Sequence, residues 1–351
     1  MSFIKDNRAY EAWLHDQCSV VEEDIVTKHR RMRKSAFIFL RATYFRWAKV
    51  IEALCPDLAK APPVLAVGDT HIENFGIWRD AEGRLIWGLN DFDEAAVMPY
   101  PFDLVRLAVS ARLADRGTEM QSIADYILAG YRQGLRHARP TLLDQQETWM
   151  RRYVACTDKE RRLFWREVKN YPDAKPPQRL QIALRRSLPE EAELQRFASR
   201  IKGGGSLGRQ RFVAIADWRG GLVLREAKAL VPSAWDWAHD MVDQKSQFLT
   251  LARGKYRAND PFLDVRDRFV IRRIAPDSRK VTLEDGRPFS PELLTAMGFD
   301  LGAIHAADAG AAAVSEDFDN RPQKWLRKAA KTALRQVEAD YATWVERTEG
   351  A

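Results

Sequence analysis

The sequence predicts an α+β protein built in two lobes. Three observations predict it. The chain has 351 residues, 46% hydrophobic and 30% charged, enough to bury a full core and to divide into two bodies. Residues 6–22 and 36–54 place aromatic and aliphatic side chains at three- and four-residue spacing, the period of an amphipathic helix. Residues 201–230 change character and alternate and turn as a β-hairpin does.

Each element follows in order. Residues 1–60 read as helices with no strand or glycine-rich loop among them. Pro62 and Pro63 end the helical stretch, and Val64-Leu65-Ala66-Val67 is a short buried strand delivering Gly68-Asp69 at its end. Arg84 to Leu89 is a second strand, reached across the turn Arg79 to Gly83 and delivering Asp91. Pro99 to Arg116 opens with Pro-Tyr-Pro and continues as a helix. Helices then run to about residue 200, with a proline-bearing surface loop over residues 170–178. The hairpin comprises a strand from Arg211 to Ala216, a turn at Arg219-Gly220-Gly221 and a strand from Leu222 to Lys228. Phe269 to Ile274 is a further strand. Helices over residues 291–307 and 323–348 close the chain around an alanine-rich loop at residues 306–313.

Composition excludes several classes. No run approaches the roughly 18 to 20 apolar residues of a membrane helix, and Met1-Ser2-Phe3-Ile4-Lys5-Asp6 lacks a signal-peptide pattern, so a cytoplasmic protein without a membrane partner is expected. Cys18, Cys55 and Cys156 are too few and too scattered for a disulfide framework or a zinc site and read as small buried residues. The net charge of +7 comes from scattered arginines and one cluster, Lys28 to Lys34. With no aromatic platform interleaved, that cluster reads as a solvated helix face rather than a nucleic-acid patch. The positive balance suits anionic small molecules such as nucleotides.

The chemistry is concentrated in two segments. Gly68-Asp69-Thr70-His71-Ile72-Glu73-Asn74 and Asn90-Asp91-Phe92-Asp93 put hard oxygen and amide ligands on what read as two adjacent strand ends. Phosphoryl transfer needs a carboxylate for the acceptor hydroxyl, oxygen ligands for magnesium and a cation for the phosphates. Asp69 can supply the first, Asn74 and Asp91 the second with Asp93 as a further carboxylate, and Lys228 the third. Any one of these could be a polar turn residue; an Asp-x4-Asn followed by Asp-Phe-Asp, both strand-borne, favours the site. Gly203, Gly205, Ser206 and Gly208 form a glycine-rich loop joining two strands, which argues against a dinucleotide-binding turn and, without Gly-Lys-Ser/Thr, against a P-loop; with Lys228 ending the following strand, it reads as the nucleotide-covering flap of kinase-like enzymes. Asp69-x-His71 also resembles the first metal motif of dinuclear phosphoesterases, a second reading that would need further histidine segments downstream. His305 reads as a hydrogen-bonded core histidine, and Asp103 as a brace behind the Asp69 loop.

Together these segments resemble the aminoglycoside phosphotransferase and protein kinase-like superfamily: Gly68 to Asn74 its catalytic loop, Asn90 to Ala95 its metal-binding segment, Pro101 to Leu104 the following helix start, and Leu301 to Ala306 the helix before the catalytic loop. More closely, Met32 to Arg41, Gly68 to Gly76, Asn90 to Asp93, Lys228 to Ser233 and the Leu301 helix resemble a bacterial family known as a domain of unknown function, over about residues 30–345. The resemblance implies a two-lobed kinase-like fold in circularly permuted order. Residues 1–200 would form a large, mainly helical lobe, residues 201–275 a small antiparallel β lobe for the nucleotide, and residues 276–351 helices returning to the large lobe. It implies ATP and Mg2+ as cofactors and phosphoryl transfer to an unknown small-molecule or protein acceptor. Nucleotidyl transfer and a non-catalytic nucleotide-binding pseudokinase remain open on the same scaffold. It also implies an acid partner for Lys228 in the helix after Pro232, with Asp236, Asp240 and Asp243 as candidates.

Overall fold

The computed structural model describes residues 2–115, 117–146, 148–151, 155–201, 206–241, 245–278, 280 and 289–348. Four helices open the chain: α1 Phe3–Gln17, α2 Glu22–Met32, α3 Ala36–Ala42 and α4 Tyr44–Leu54. Both long helices expected from periodicity are therefore interrupted. Val20 is drawn into an antiparallel bridge with Arg209, and the Val21 N–H donates to Gly208 O at 2.8 Å. At Thr43 the hydroxyl turns back onto Phe39 O at 2.8 Å while the backbone leaves helical geometry, the local competition a threonine side chain offers to a helix.

Strand β1 (Pro63–Ala66) pairs antiparallel with β4 (Ala96–Pro99), whereas β2 (Phe75–Arg79) and β3 (Leu85–Leu89) form a hairpin extended by the short β5 (Thr141–Leu142). The strands before Asp69 and Asp91 thus lie in different sheets rather than side by side. Their loops still meet, because β2 starts directly after Asn74 and is registered Phe75 to Leu89. Helices α5 (Pro101–Ala114), α6 (Met120–Arg136), α7 (Asp158–Lys169) and α8 (Gln178–Ser187) follow.

Five antiparallel strands, β6 (Glu193–Ser199), β7 (Arg211–Trp218), β8 (Gly221–Ala229), β9 (Asp264–Arg266) and β10 (Phe269–Ile274), form a separate sheet in the order β6-β7-β8-β10-β9. Its first strand lies before residue 201. Val168 and Tyr171, on and after α7, pack with Val213, Ile215, Leu224 and Ile274; Leu180 and Leu184 of α8 pack with Phe212, Ala214, Ala227 and Ile271. Because successive strand residues face opposite ways, the two helices cover opposite faces of the sheet. Helices α7 and α8, in the stretch expected to join the large lobe, pack on this sheet, and residues 193–199 are its strand β6. Short helices α9 (Ala234–Ala238) and α10 (Phe248–Ala252) link β8 to β9.

The chain closes with α11 (Pro291–His305), α12 (Ala311–Asn320) and α13 (Trp325–Thr348), so the alanine-rich stretch is partly helical. Helices α6 and α11 cross in near backbone contact at Gly130, Gly134, Gly298 and Gly302. A Cβ on Gly130 would fall 1.8 Å from Thr295 O, and one on Gly298 2.2 Å from Ile127 O. Glycine is what lets the two backbones approach. The core spans α1, α3, α4, α5, α6, α11 and α13, with Phe39, Phe45, Phe102, Leu107, Ile127, Leu301 and Leu326 among its buried members.

Two readings of burial are corrected. Lys28 does not join a solvated face: it is 2% exposed, with its ammonium near the Tyr10 and Phe45 rings, and burial first lowers its pKa to about 8. Its aliphatic stem and the surrounding aromatics favour burial, while Arg30, Arg33 and Lys34 are exposed. Of the cysteines only Cys55 is buried; Cys18 and Cys156 are half-buried. Among the described residues no helix is long and apolar enough to cross a membrane.

Candidate functional site

Two loops form the site, and buried carboxylates hold both from behind. Asp103, at the start of α5, accepts hydrogen bonds from Val67 N and Gly68 N, each at 2.8 Å, and its Oδ2 lies 3.2 Å from His305 Nε2. His305 also meets the Tyr131 hydroxyl at 2.9 Å and is fully buried, the core role expected of it. Asp300 of α11 accepts from Leu89 N at 2.7 Å and pairs with Arg257 at 3.2 Å, fixing the end of β3. Gly68 turns with φ +83°, and a Cβ there would lie 2.3 Å from Glu94 O. Only glycine brings the two loops this close.

Asn74 ties them together. Its Nδ2 donates to Asp69 O and to Asp91 O, both at 3.1 Å, and Asn90 N donates to Asn74 O at 3.1 Å. Two carbonyl acceptors fix which side-chain atom is the nitrogen. The oxygen, Asn74 Oδ1, is buried with no hydrogen-bond partner, as is Asp93 Oδ1.

Asp69 Oδ1 accepts from Arg106 Nε at 2.8 Å and Nη2 at 2.5 Å, and Arg106 is fully buried on α5. Burial raises the Asp69 pKa above its ordinary value even against Arg106 and Arg41. His71 lines the same cavity, with Nε2 3.9 Å from Asp69 Oδ2 and Nδ1 buried without a partner. Burial, then Arg41, Lys280 and Arg106, hold its imidazole well below the usual range, so it is neutral at pH 7.

Lys228 lies at the inner end of β8, 3% exposed, with Nζ 3.1 Å from Asp91 Oδ1 and 2.6 Å from Asp93 Oδ2. For Asp91, burial acts upward but Lys228, Lys280 and Arg272 outweigh it, so its carboxyl stays well below the ordinary range; Asp93 is pushed up by burial and by Asp91. Among the described residues Lys228 pairs with Asp91 and Asp93, and not with Asp236 or Asp240 after Pro232. Asp236 sits near His239, its pKa raised by burial to about 6, Asp240 ends that turn at φ +53°, and Asp243 lies outside the described residues. The loop from β3 to β4 reaches under the sheet and supplies Asp91 and Asp93 instead. Its Glu94 bonds Ala234 N at 2.6 Å, which anchors α9 to that loop.

Of the glycine-rich loop, Gly203 and Gly205 lie outside the described residues. Ser206 Oγ accepts from Arg211 Nη2 at 2.7 Å, and Gly208 has φ +96° where it meets Ile25. Arg209 then reaches Asp93 at 3.3 Å, Glu94 at 3.2 Å and the Tyr10 hydroxyl at 3.3 Å.

Sequence reasoning missed several charged residues here. Fully buried Glu226 pairs with Arg200 at 2.8 Å, Arg211 at 3.2 Å and Arg272 at 2.6 Å, and these arginines overcome burial to hold its pKa well down. Lys280 Nζ stands 4.0 Å from Asp91 Oδ2. Arg106 carried a signal, a lone cation in the apolar run Phe102 to Val109; Arg272 and Lys280 carried none, being charged residues in ordinary-looking strand and loop.

The inner cavity, about 110 Å³, is lined by Asp69, His71, Asn74, Asp91 and Asp93 with Arg41, Arg209, Arg211, Arg272 and Lys280. Arg41, Arg272 and Lys280 also border an outer cleft of about 620 Å³ with walls from Ile77, Trp78, Phe92, Phe164 and Ile274. Among the described residues no three His, Cys, Asp or Glu side chains group as a metal-binding cluster. The donors present are oxygens of an amide and a carboxylate pair, which suit a hard cation that keeps water or phosphate oxygens in its shell.

A search of curated proteins found no match, and neither did a search of solved structures. Over residues 20–159, a span that contains both site loops and ends before Lys228, the chain is similar to a family described as an uncharacterized protein conserved in bacteria (DUF2252).

Proposed function

We propose that the protein is an ATP- and magnesium-dependent phosphotransferase with a kinase-like, two-lobed fold in circularly permuted order. One observation carries the reading: Asn74 Oδ1 and Asp93 Oδ1 are buried oxygens without partners beside ionised Asp91. A buried polar atom left unpaired costs about 1–3 kcal/mol, and a cation shared by these oxygens would satisfy both. Asn74, Asp91 and Asp93 are the residues that would hold magnesium, which when bound would neutralise charge on the phosphates.

The protein's own groups divide the remaining work. Lys228 keeps Asp91 and Asp93 together without metal, and Arg272, Lys280 and Arg41 line the passage where phosphates would run. The outer cleft falls within the usual 300–1,000 Å³ of a small-molecule site, and its aromatic walls suit a nucleotide base. Asp69 takes the acceptor hydroxyl's proton as the acceptor oxygen bonds to the γ-phosphorus and the bond from that phosphorus to the ADP oxygen breaks. Arg106, by occupying Oδ1, aims the other oxygen of Asp69 into the cavity.

Incubation with γ- and α-labelled ATP and magnesium tests this. Transfer of the γ label to water or an added acceptor is expected; transfer of the α label would mean nucleotidyl transfer, and nucleotide binding with no transfer a pseudokinase. Absence of magnesium-dependent nucleotide binding would refute the reading altogether.

A further inference from the structure

His71 has no role in the chemistry so far, yet its surroundings are unusual. The ring is 6% exposed, lines the inner cavity and leaves Nδ1 without a partner. Its Nε2 is 3.9 Å from Asp69 Oδ2, too far for a hydrogen bond. The other Asp69 oxygen is fully engaged by Arg106. Between Oδ2 and Nε2 there is thus a gap of the width that one bridging oxygen, about 2.8 Å from each, would span.

We infer that His71 Nε2 is the second hydrogen-bond partner of the attacking oxygen seated on Asp69 Oδ2, a positioning residue for the acceptor hydroxyl. The assignment follows from hydrogen-bond polarity. As a carboxylate Asp69 only accepts, so the seated group must donate; with its single proton on Nε2 the neutral His71 ring donates, so the seated group must also accept. A hydroxyl or water does both. A carboxylate or phosphate acceptor carries no proton for Asp69 and would be repelled by it. His71 then holds the oxygen without taking its proton, which passes to Asp69 as the new O–P bond forms. The inner cavity, about 110 Å³, has room for several water-sized groups, and the rest of the acceptor extends toward the outer cleft.

The inference rests on the phosphotransferase reading above, and its test separates the two. MgADP alone leaves the seat to solvent, whereas MgADP with aluminium fluoride orders the attacking water. Calorimetry on the full chain should show the fluoride complex bound more tightly than MgADP by wild type. His71→Ala should keep MgADP affinity within about twofold and lose at least about tenfold of the fluoride gain, roughly 1.4 kcal/mol; His71→Gln, which restores an N–H donor, should recover part of it. A wild type that binds MgADP but gains nothing from fluoride, or a His71→Ala variant that keeps the gain or weakens both ligands alike, would overturn the seat while leaving the nucleotide reading intact. Failure of wild type to bind MgADP would remove that reading and the seat with it.

Discussion

Lys228 and Asp91 stand 3.1 Å apart although 137 residues separate them in the chain. The contact joins the five-stranded sheet to the loop after β3, and the same ammonium reaches Asp93 at 2.6 Å. Lys228→Met would leave two neighbouring carboxylates without the buried cation they share, with Arg209 at Asp93 and Lys280 at Asp91 offsetting only part of the charge, at a cost of about 3 kcal/mol. Magnesium should replace the lost charge. Thermal unfolding is expected to show a larger magnesium-induced rise in Tm for the variant than for wild type; equal rises would mean that the metal does not bind at these carboxylates.

Asp91→Asn is the complementary change. Lys228 retains Asp93 as a partner, so the loss of stability should stay within about 1 kcal/mol, while magnesium-dependent ADP affinity should fall at least about tenfold. Calorimetry with and without magnesium checks this. A large drop in Tm with unchanged affinity would make Asp91 a structural residue only.

His71 gives the fold a pH dependence of definite sign. Its pKa in the folded chain lies well below the ordinary 6.5, so below pH 6.5 the unfolded chain takes up a proton that the folded chain refuses. The stability is complete above that pH and declines beneath it, by up to about 1.4 kcal/mol per pH unit. His71→Gln lacks this titration. Urea unfolding at pH 7, 6 and 5 should therefore show the stability difference moving in favour of the variant by about 1–2 kcal/mol; a constant difference would mean the ring titrates normally.

The crossing of α6 and α11 predicts a purely structural effect. Gly130→Ala would force a methyl onto Thr295 O and should cost about 2–3 kcal/mol, whereas Gly221→Ala, with nothing within 4 Å of its Cβ position, should stay within about 0.5 kcal/mol. Denaturant midpoints decide between them. A small effect at Gly130 would mean that the helices separate at little cost.

What was legible in the sequence is what is local. Asp69, Asn74 and Asp91 meet because the residues of each loop are neighbours in the chain, and one hairpin, Phe75 to Leu89, closes the gap between the loops. Tertiary placement was not legible. The patterns of residues 158–169 and 178–187 are those of amphipathic helices whatever they pack on, so their place against the five-stranded sheet could not be read. The buried state of Lys28 depends on Tyr10 and Phe45 arriving from other helices, and the acid facing Lys228 depends on which loop passes beneath β8. The breaks at Val20 and Thr43 are decided by a bridge to Arg209 and by a hydroxyl, both weaker signals than the helical period around them.

Crystals grown with ADP and manganese in place of magnesium test the central claim most directly, since the anomalous signal of manganese locates the ion. The account predicts an ion among Asn74 Oδ1, Asp91 and Asp93, at about 2.0–2.3 Å from its oxygen ligands, with the diphosphate running toward Arg272 and Lys280 and the base in the outer cleft. An ion bound away from Asn74 and Asp91, or ADP bound outside the cleft between the helical body and the five-stranded sheet, would contradict it.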